Sequence, residues 1–435
     1  MEPHLLRVLF ADNAWLDAEP LDRWLGRHVP TPLIPRRLHP QPDDRVVLVI
    51  GPRQSGKSTL IWKLLAEADR PALYLNCEDP TIAAWLRSPA LFLADVAALA
   101  PPEATLFFEE CQALEEAGLF LKGLVDRRTG RALYATGSSS FHLEAKTRES
   151  LAGRALRHQL LPFSMAEIGA TLSGPPLVRE HKLRQELDRQ LIFGGYPRVR
   201  GSGSPQQELA TLVESFVVRD VSDRFQVRRV DAFRKVLALA ASQIGNLVNF
   251  SEWATLAEVG GDTVAEYCRL LEETHVLRLV RPFVGGKRAE ITSTPKAFFV
   301  DNGVRNQLFG GFVPFADRAD RGALLENLVF TELIKHLNPL LDSVRYWRSR
   351  SGAEVDFVVE HQGRLIACEV KTGDARGHLG RSAHSFLDAY HPEALLVVHS
   401  GSKAEQAIGD TRVVFLGAHE VGVFLGEMVG EAPDG

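Results

Sequence analysis

At 435 residues the chain exceeds what one hydrophobic core sustains, and it predicts about three domains. Its 45% hydrophobic and 24% charged content excludes a disordered chain, and the net charge of −5 excludes overall affinity for polyanions. Any nucleic-acid contact must therefore come from local patches. The four cysteines, Cys77, Cys111, Cys268 and Cys368, form no CxxC pair and lie in or beside apolar runs. They read as reduced, buried thiols of a cytoplasmic protein. No basic-then-apolar leader opens the chain, and no apolar run reaches the roughly 18 residues of a membrane span, so no membrane association is expected.

Residues 1–40 pair an amphipathic stretch with a connector carrying Pro30, Pro32, Pro35 and Pro40, which cannot be one helix. The apolar run Val46–Ile50 then leads into Gly51, Pro52, Arg53, Gln54, Ser55, Gly56, Lys57 and Ser58, with Thr59–Leu65 following as a helix. Strand, Gly-x4-Gly-Lys-Ser loop and helix are the context in which a loop cradles phosphates. The glycines let successive N–H groups face one point, and the helix dipole adds to that anion site. Gly51 through Thr59 are the expected ATP-binding residues: Lys57 reaches the β- and γ-phosphates and Ser58 ligates Mg2+. Further apolar runs at Ala72–Leu75, Thr105–Phe108 and Ala132–Thr136 alternate with helical segments, predicting a parallel sheet in an α/β core over residues 41–170.

Magnesium and the attacking water need an acidic partner on a neighbouring strand. Thr105–Phe108 ends in Glu109 and Glu110, with Glu109 expected at the metal and Glu110 as the water-orienting base. The strand Leu133–Thr136 ends in Gly137-Ser138. Ser138, with Thr136 second, is the candidate γ-phosphate sensor. Arg154, with Arg157 nearby, is a candidate finger for a neighbouring subunit, which would require a ring or other homo-oligomer, such as a hexamer. Arg198, after Gly194-Gly195-Tyr196-Pro197, is a candidate cis sensor on a helical lid over residues 171–225.

Residues 226–315 predict helices at Phe233–Ile244, Ser251–Val259 and Thr263–His275, then a hairpin around Gly285-Gly286. A helix–turn–helix followed by a hairpin is a DNA-binding design. Arg228 and Arg229, within a basic run from Arg224 to Lys235, and Lys287 and Arg288 at the hairpin tip are the expected phosphate contacts. Glu266, Glu272 and Glu273 oppose Arg269 on the third helix, which argues against tight base reading. Residues 316–435 open with the helix Leu324–Leu337, followed by strands and a second helix near Ser382–Ala389. Asp356, Glu369 and Lys371, with Glu326 on the opening helix, resemble the metal site of the PD-(D/E)xK nuclease fold. In that arrangement two acids share a divalent ion and the lysine stabilises the charged transition state. Tyr346, Trp347, Arg348 and Arg350 offer stacking and charge for a nucleic-acid strand.

Taken in order, Gly-Pro-Arg-Gln-Ser-Gly-Lys-Ser, Phe-Glu-Glu-Cys-Gln, Thr-Gly-Ser-Ser-Ser, Leu-Ala-Gly-Arg, Leu-Leu-Pro-Phe-Ser and Gly-Gly-Tyr-Pro resemble the bacterial and archaeal AAA-type ATPases with a C-terminal domain of unknown function. Those relatives usually carry Asp-Glu-x-Gln on the acidic strand, so Glu109 departs from their pattern. The resemblance spans residues 35 to 420. It implies an α/β fold: a P-loop AAA+ ATPase core with helical lid, a winged helix, and a nuclease-like α/β domain. The expected activity is ATP hydrolysis that remodels or translocates DNA. The alternatives are an ATP-gated, metal-dependent nuclease and a slow nucleotide switch.

Overall fold

The computed structural model describes residues 2–137, 151–215, 227–285 and 294–430. They form two compact units, Met1–Leu161 and Pro162–Gly435.

The first unit is built on five parallel strands, β1 (Val46–Ile50), β2 (Ala72–Asn76), β3 (Thr105–Glu109), β4 (Leu133–Gly137) and β5 (Ala155–Gln159), in the order β2-β3-β4-β1-β5. The first four are apolar runs buried on both faces, as parallel strands under helices must be. Strand β5 escaped the sequence reading because it is a half-exposed edge strand, Ala-Leu-Arg-His-Gln, with no apolar run. One expectation needs correcting. The acidic strand β3 is not beside β1; β4 lies between them. At about 4.8 Å per strand, Glu109 starts about 10 Å from the loop strand, a gap its long side chain helps to close.

The N-terminal residues are more than a connector. Asn13 is buried, donates to Tyr74 O at 2.9 Å and accepts from Tyr74 N at 2.7 Å, which fixes the first helix, Pro3–Asp12, to β2. Trp24 is buried edge-on against Trp62 of the helix Lys57–Ala68, with ring centroids 5.0 Å apart, and His28 stacks on Trp62 at 4.0 Å.

In the second unit, the helices Val230–Ser242, Phe250–Ala257 and Gly261–Glu273 share one apolar core with the antiparallel pair β6 (Leu277–Val280) and β7 (Lys296–Phe299). A six-stranded sheet follows, in the order β12-β13-β11-β10-β9-β8, from β8 (Asp342–Arg348), β9 (Glu354–His361), β10 (Arg364–Val370), β11 (Ala394–Val398), β12 (Ala404–Ile408) and β13 (Thr411–Leu416). The helix Arg321–Lys335 packs its Leu324, Leu328 and Val329 into the core beneath it.

The Gly194-Gly195 pair has a packing role within this unit. Gly194 has φ +71°, and a Cβ there would collide with the Asp301 carboxylate, which is fully buried and accepts the Gly195 N–H at 2.7 Å. Gly194→Ala therefore should cost about 1–3 kcal/mol of stability, read as a lower midpoint in urea unfolding.

Candidate nucleotide-binding site

Loop 51–58 leaves the carboxyl end of β1 and enters the helix Lys57–Ala68. Gly56 stands at the helix N-cap with φ +94°, which favours glycine. At Gly51 the need is space, because a Cβ there would collide with the Leu160 carbonyl. The Ser55 Oγ is buried with no partner among the described residues. A buried hydroxyl in that state calls for a partner, and a phosphate oxygen supplies one. Lys57 is buried, and its Nζ donates to Gly51 O at 3.2 Å and Pro52 O at 3.0 Å, inside the curve of the loop.

The acidic residues reach the same place. Glu109 accepts hydrogen bonds from Ser58 Oγ and from the Tyr74 hydroxyl. Burial, and then Glu109, push the Tyr74 phenol upward, so it remains a donor. Glu110 sits in the left-handed region at φ +51°, its N–H donating to Thr136 Oγ1 at 3.1 Å. That turn carries its carboxylate to 3.9 Å from Lys57 Nζ, with Gln112 Nε2 donating to the other oxygen. Thr136, the second-choice sensor, is thus engaged in holding Glu110. Ser138 lies outside the described residues.

Sequence reasoning missed Arg36, which sits in the proline-rich connector. It is buried, and its guanidinium donates to Ser55 O at 2.8 Å and Leu161 O at 2.5 Å, bracing the loop from behind. An arginine among prolines looks like solvated charge until the chain is seen to return to the loop. Arg36→Ala removes charge-assisted bonds of about 1.5–3 kcal/mol each, and ATP affinity should fall about 10- to 100-fold, measured by titration of a fluorescent ATP analogue.

The arginine candidates have acidic partners of their own. The Arg154 carbonyl accepts Val46 N–H at the amino end of β1, so Arg154 lies across the sheet from its own loop; its Nε pairs with Asp126 at 2.6 Å. Arg198, in the second unit, pairs with Glu208 at 2.7 Å.

The predicted DNA contacts are less cationic than the sequence suggests. Arg229 pairs with Asp231 at 3.0 Å, Arg234 with Glu214 at 2.6 Å and Lys235 with Glu258 at 2.6 Å; Arg228 is exposed. The exposed face of the helix Gly261–Glu273 shows Asp262, Ala265, Glu266 and Arg269, the last paired with Glu273 at 3.4 Å. Arg224, Lys287 and Arg288 lie outside the described residues. The stacking role expected for Tyr346 and Trp347 is corrected: both are buried, Tyr346 donating to Thr294 O at 2.6 Å and Trp347 packing on Phe386.

The structure brings Glu326, Asp356, Glu369 and Lys371 together. Cys368 pairs with Phe357 in the β9–β10 register, which sets Asp356 across from Glu369. Burial, with Asp356 adding to it, raises both Glu326 and Glu369 above the usual carboxylate range. Lys371 Nζ is 3.3 Å from Glu369. Two further members went unnoticed in the sequence, Glu354 and Lys296. Among the described residues no three His, Cys, Asp or Glu side chains are arranged to hold a metal ion.

The chain is similar to several known proteins. Residues 43–169 match an AAA domain family (AAA_14), residues 184–313 a domain of unknown function (DUF8612), and residues 321–418 another (DUF4143). The chain is 27% identical to the uncharacterized protein Rv2008c of Mycobacterium tuberculosis, over 84% of this chain and 78% of that one. It is 21% identical to the uncharacterized protein MJ1544 of Methanocaldococcus jannaschii, over 73% and 72%. Among solved structures, the Holliday junction branch migration motor RuvB of Thermotoga maritima aligns at 16% identity and TM-score 0.28, over 54% of this chain and 82% of that one. No helix among the described residues is long and apolar enough to cross a membrane. With its parallel α/β sheet and phosphate loop, the N-terminal part of the chain resembles an AAA-type P-loop ATPase core.

Proposed function

We propose that the chain is a Mg2+-dependent ATP hydrolase of the AAA+ type, acting in the cytoplasm as a homo-oligomeric ring that remodels or translocates DNA. The observation that carries the ATPase reading is the convergence of Lys57, Ser58, Glu109 and Glu110 on one loop that also buries a Ser55 hydroxyl with no partner among the described residues. In this reading Lys57 and the loop amides hold the phosphates, and Glu110 accepts the proton of the attacking water. Ser58 and Glu109 would hold the metal, whose positive charge offsets the negative charge of the phosphates when bound. Ser138, Arg154 and Arg198 remain the proposed sensor, trans finger and lid residue.

The DNA part of the proposal draws on the three helices and hairpin of the second unit. The proposed segments are a helix and linker (1–40), core (41–170), lid (171–225), winged helix (226–315) and nuclease-like sheet (316–435). The acidic exposed face of the helix Gly261–Glu273 favours backbone contacts from Arg228, Lys287 and Arg288 over base reading. The paired state of Arg229, Arg234 and Lys235 favours a second reading, a slow nucleotide switch that binds proteins. Phosphate release with and without single-stranded, duplex and branched DNA, together with mass measured in ATP, separates the two. The motor predicts DNA-stimulated turnover and a nucleotide-dependent oligomer; DNA-indifferent turnover with no DNA binding would leave only the switch.

A further inference from the structure

The acidic cluster of the C-terminal sheet already contains a cation. Lys296, on β7 of the small hairpin, is only 5% exposed. Its Nζ lies 2.5 Å from Glu354 Oε1 on β9 and 3.4 Å from Glu326 Oε1 on the helix Arg321–Lys335. The ring of Tyr346, on β8, lies beneath the ammonium, 5.4 Å from centroid to Nζ. Four elements of the fold therefore meet at one amine.

The acids that a divalent ion would need are otherwise engaged. Asp356 Oδ2 accepts the Val370 N–H at 2.7 Å, and Glu369 pairs with Lys371. Arg348 approaches the second oxygen of Glu354 at 3.7 Å. Glu326 Oε2 faces the backbone of Gly245, where even a Cβ would stand only 3.1 Å away. A metal entering between Glu326 and Glu354 would have to displace the buried Lys296 ammonium, whose charge repels a divalent ion at that distance.

We infer that Lys296 is the resident cation of this cluster, so that the C-terminal sheet keeps the outline of a metal-dependent nuclease but is closed to divalent metal. The Lys296 ammonium joins the hairpin strand β7 to β9 and to the helix Arg321–Lys335 in place of a metal. The residues do not fit a magnesium or manganese site, and DNA held by this unit is not cut there. This inference is independent of the ATPase reading, since every residue in it belongs to the second unit.

The test uses the full chain without nucleotide. Mn2+ uptake is followed by electron paramagnetic resonance of the free ion, comparing wild type with Asp356→Asn, whose amide oxygen still accepts the Val370 N–H. The expected result is identical uptake in the two proteins. An additional Mn2+ ion bound by wild type and lost in Asp356→Asn would overturn the inference. Lys296→Met supplies a second readout, because it takes the ammonium away from the buried Glu326 and from Glu354. Its melting temperature in chelator should fall by about 5–15 °C, and adding Glu326→Gln should recover part of that loss. Unchanged melting of Lys296→Met would show that the amine does not hold the cluster.

Discussion

Glu110→Gln should keep ATP bound while hydrolysis falls by about 10²–10⁴-fold, the usual worth of a positioned general base. The substitution preserves shape: the amide still fills the space between Lys57 and Gln112, and the backbone N–H still donates to Thr136. What it removes is the ability to accept a proton from water. Loss of one negative charge beside the phosphates also favours nucleotide binding. Single-turnover phosphate release and equilibrium binding of labelled ATP, measured on the same preparation, separate the two effects. Wild-type turnover in this variant would remove Glu110 from the chemistry and leave its left-handed backbone, φ +51°, as a purely structural feature.

Lys57→Ala should abolish both steps. Loss of one preorganised donor to a developing charge costs about 10²–10³-fold in rate, and here the same ammonium also contributes to binding. The lysine is buried, and its Nζ holds the Gly51 and Pro52 carbonyls, so the loop itself should loosen without it. The expected outcome is no measurable phosphate release at millimolar ATP and a dissociation constant raised at least tenfold. Lys57→Ala and Glu110→Gln thus differ in a readable way: the first loses ATP, the second retains it.

How much of this was legible in the sequence depends on whether a residue's partners are local. The phosphate loop, its strand and its helix are contiguous, so residues 46–65 could be read directly. Strands β1 to β4 announced themselves as apolar runs because both faces are covered. Two strands gave no such signal: β5 is half-exposed throughout, and β12 reads Ala-Glu-Gln-Ala-Ile with its centre in solvent. The order of the sheet was equally hidden, since nothing local says that β4 separates β1 from β3.

Long-range partners account for the remaining gaps. Arg36 reaches Ser55 and Leu161, Tyr74 reaches Glu109, and Lys296 reaches Glu326 and Glu354, pairings that no spacing rule predicts. Asp356, Glu369 and Lys371 were legible because a hairpin register fixes them, yet the amine beside them enters from β7, outside that hairpin. The basic run from Arg228 to Lys235 illustrates the opposite error. It reads as a cationic patch in one dimension, yet Asp231 inside the run pairs with Arg229, and folding supplies Glu214 and Glu258 as further counter-charges.

The most direct test is the crystal structure of the Glu110→Gln protein grown with Mg-ATP. An intact triphosphate against the backbone amides of residues 55–58, with Lys57 turned from the Gly51 and Pro52 carbonyls toward it, is the predicted result. ATP bound in any other cleft, with that loop and the Lys57 contacts unchanged, would contradict it.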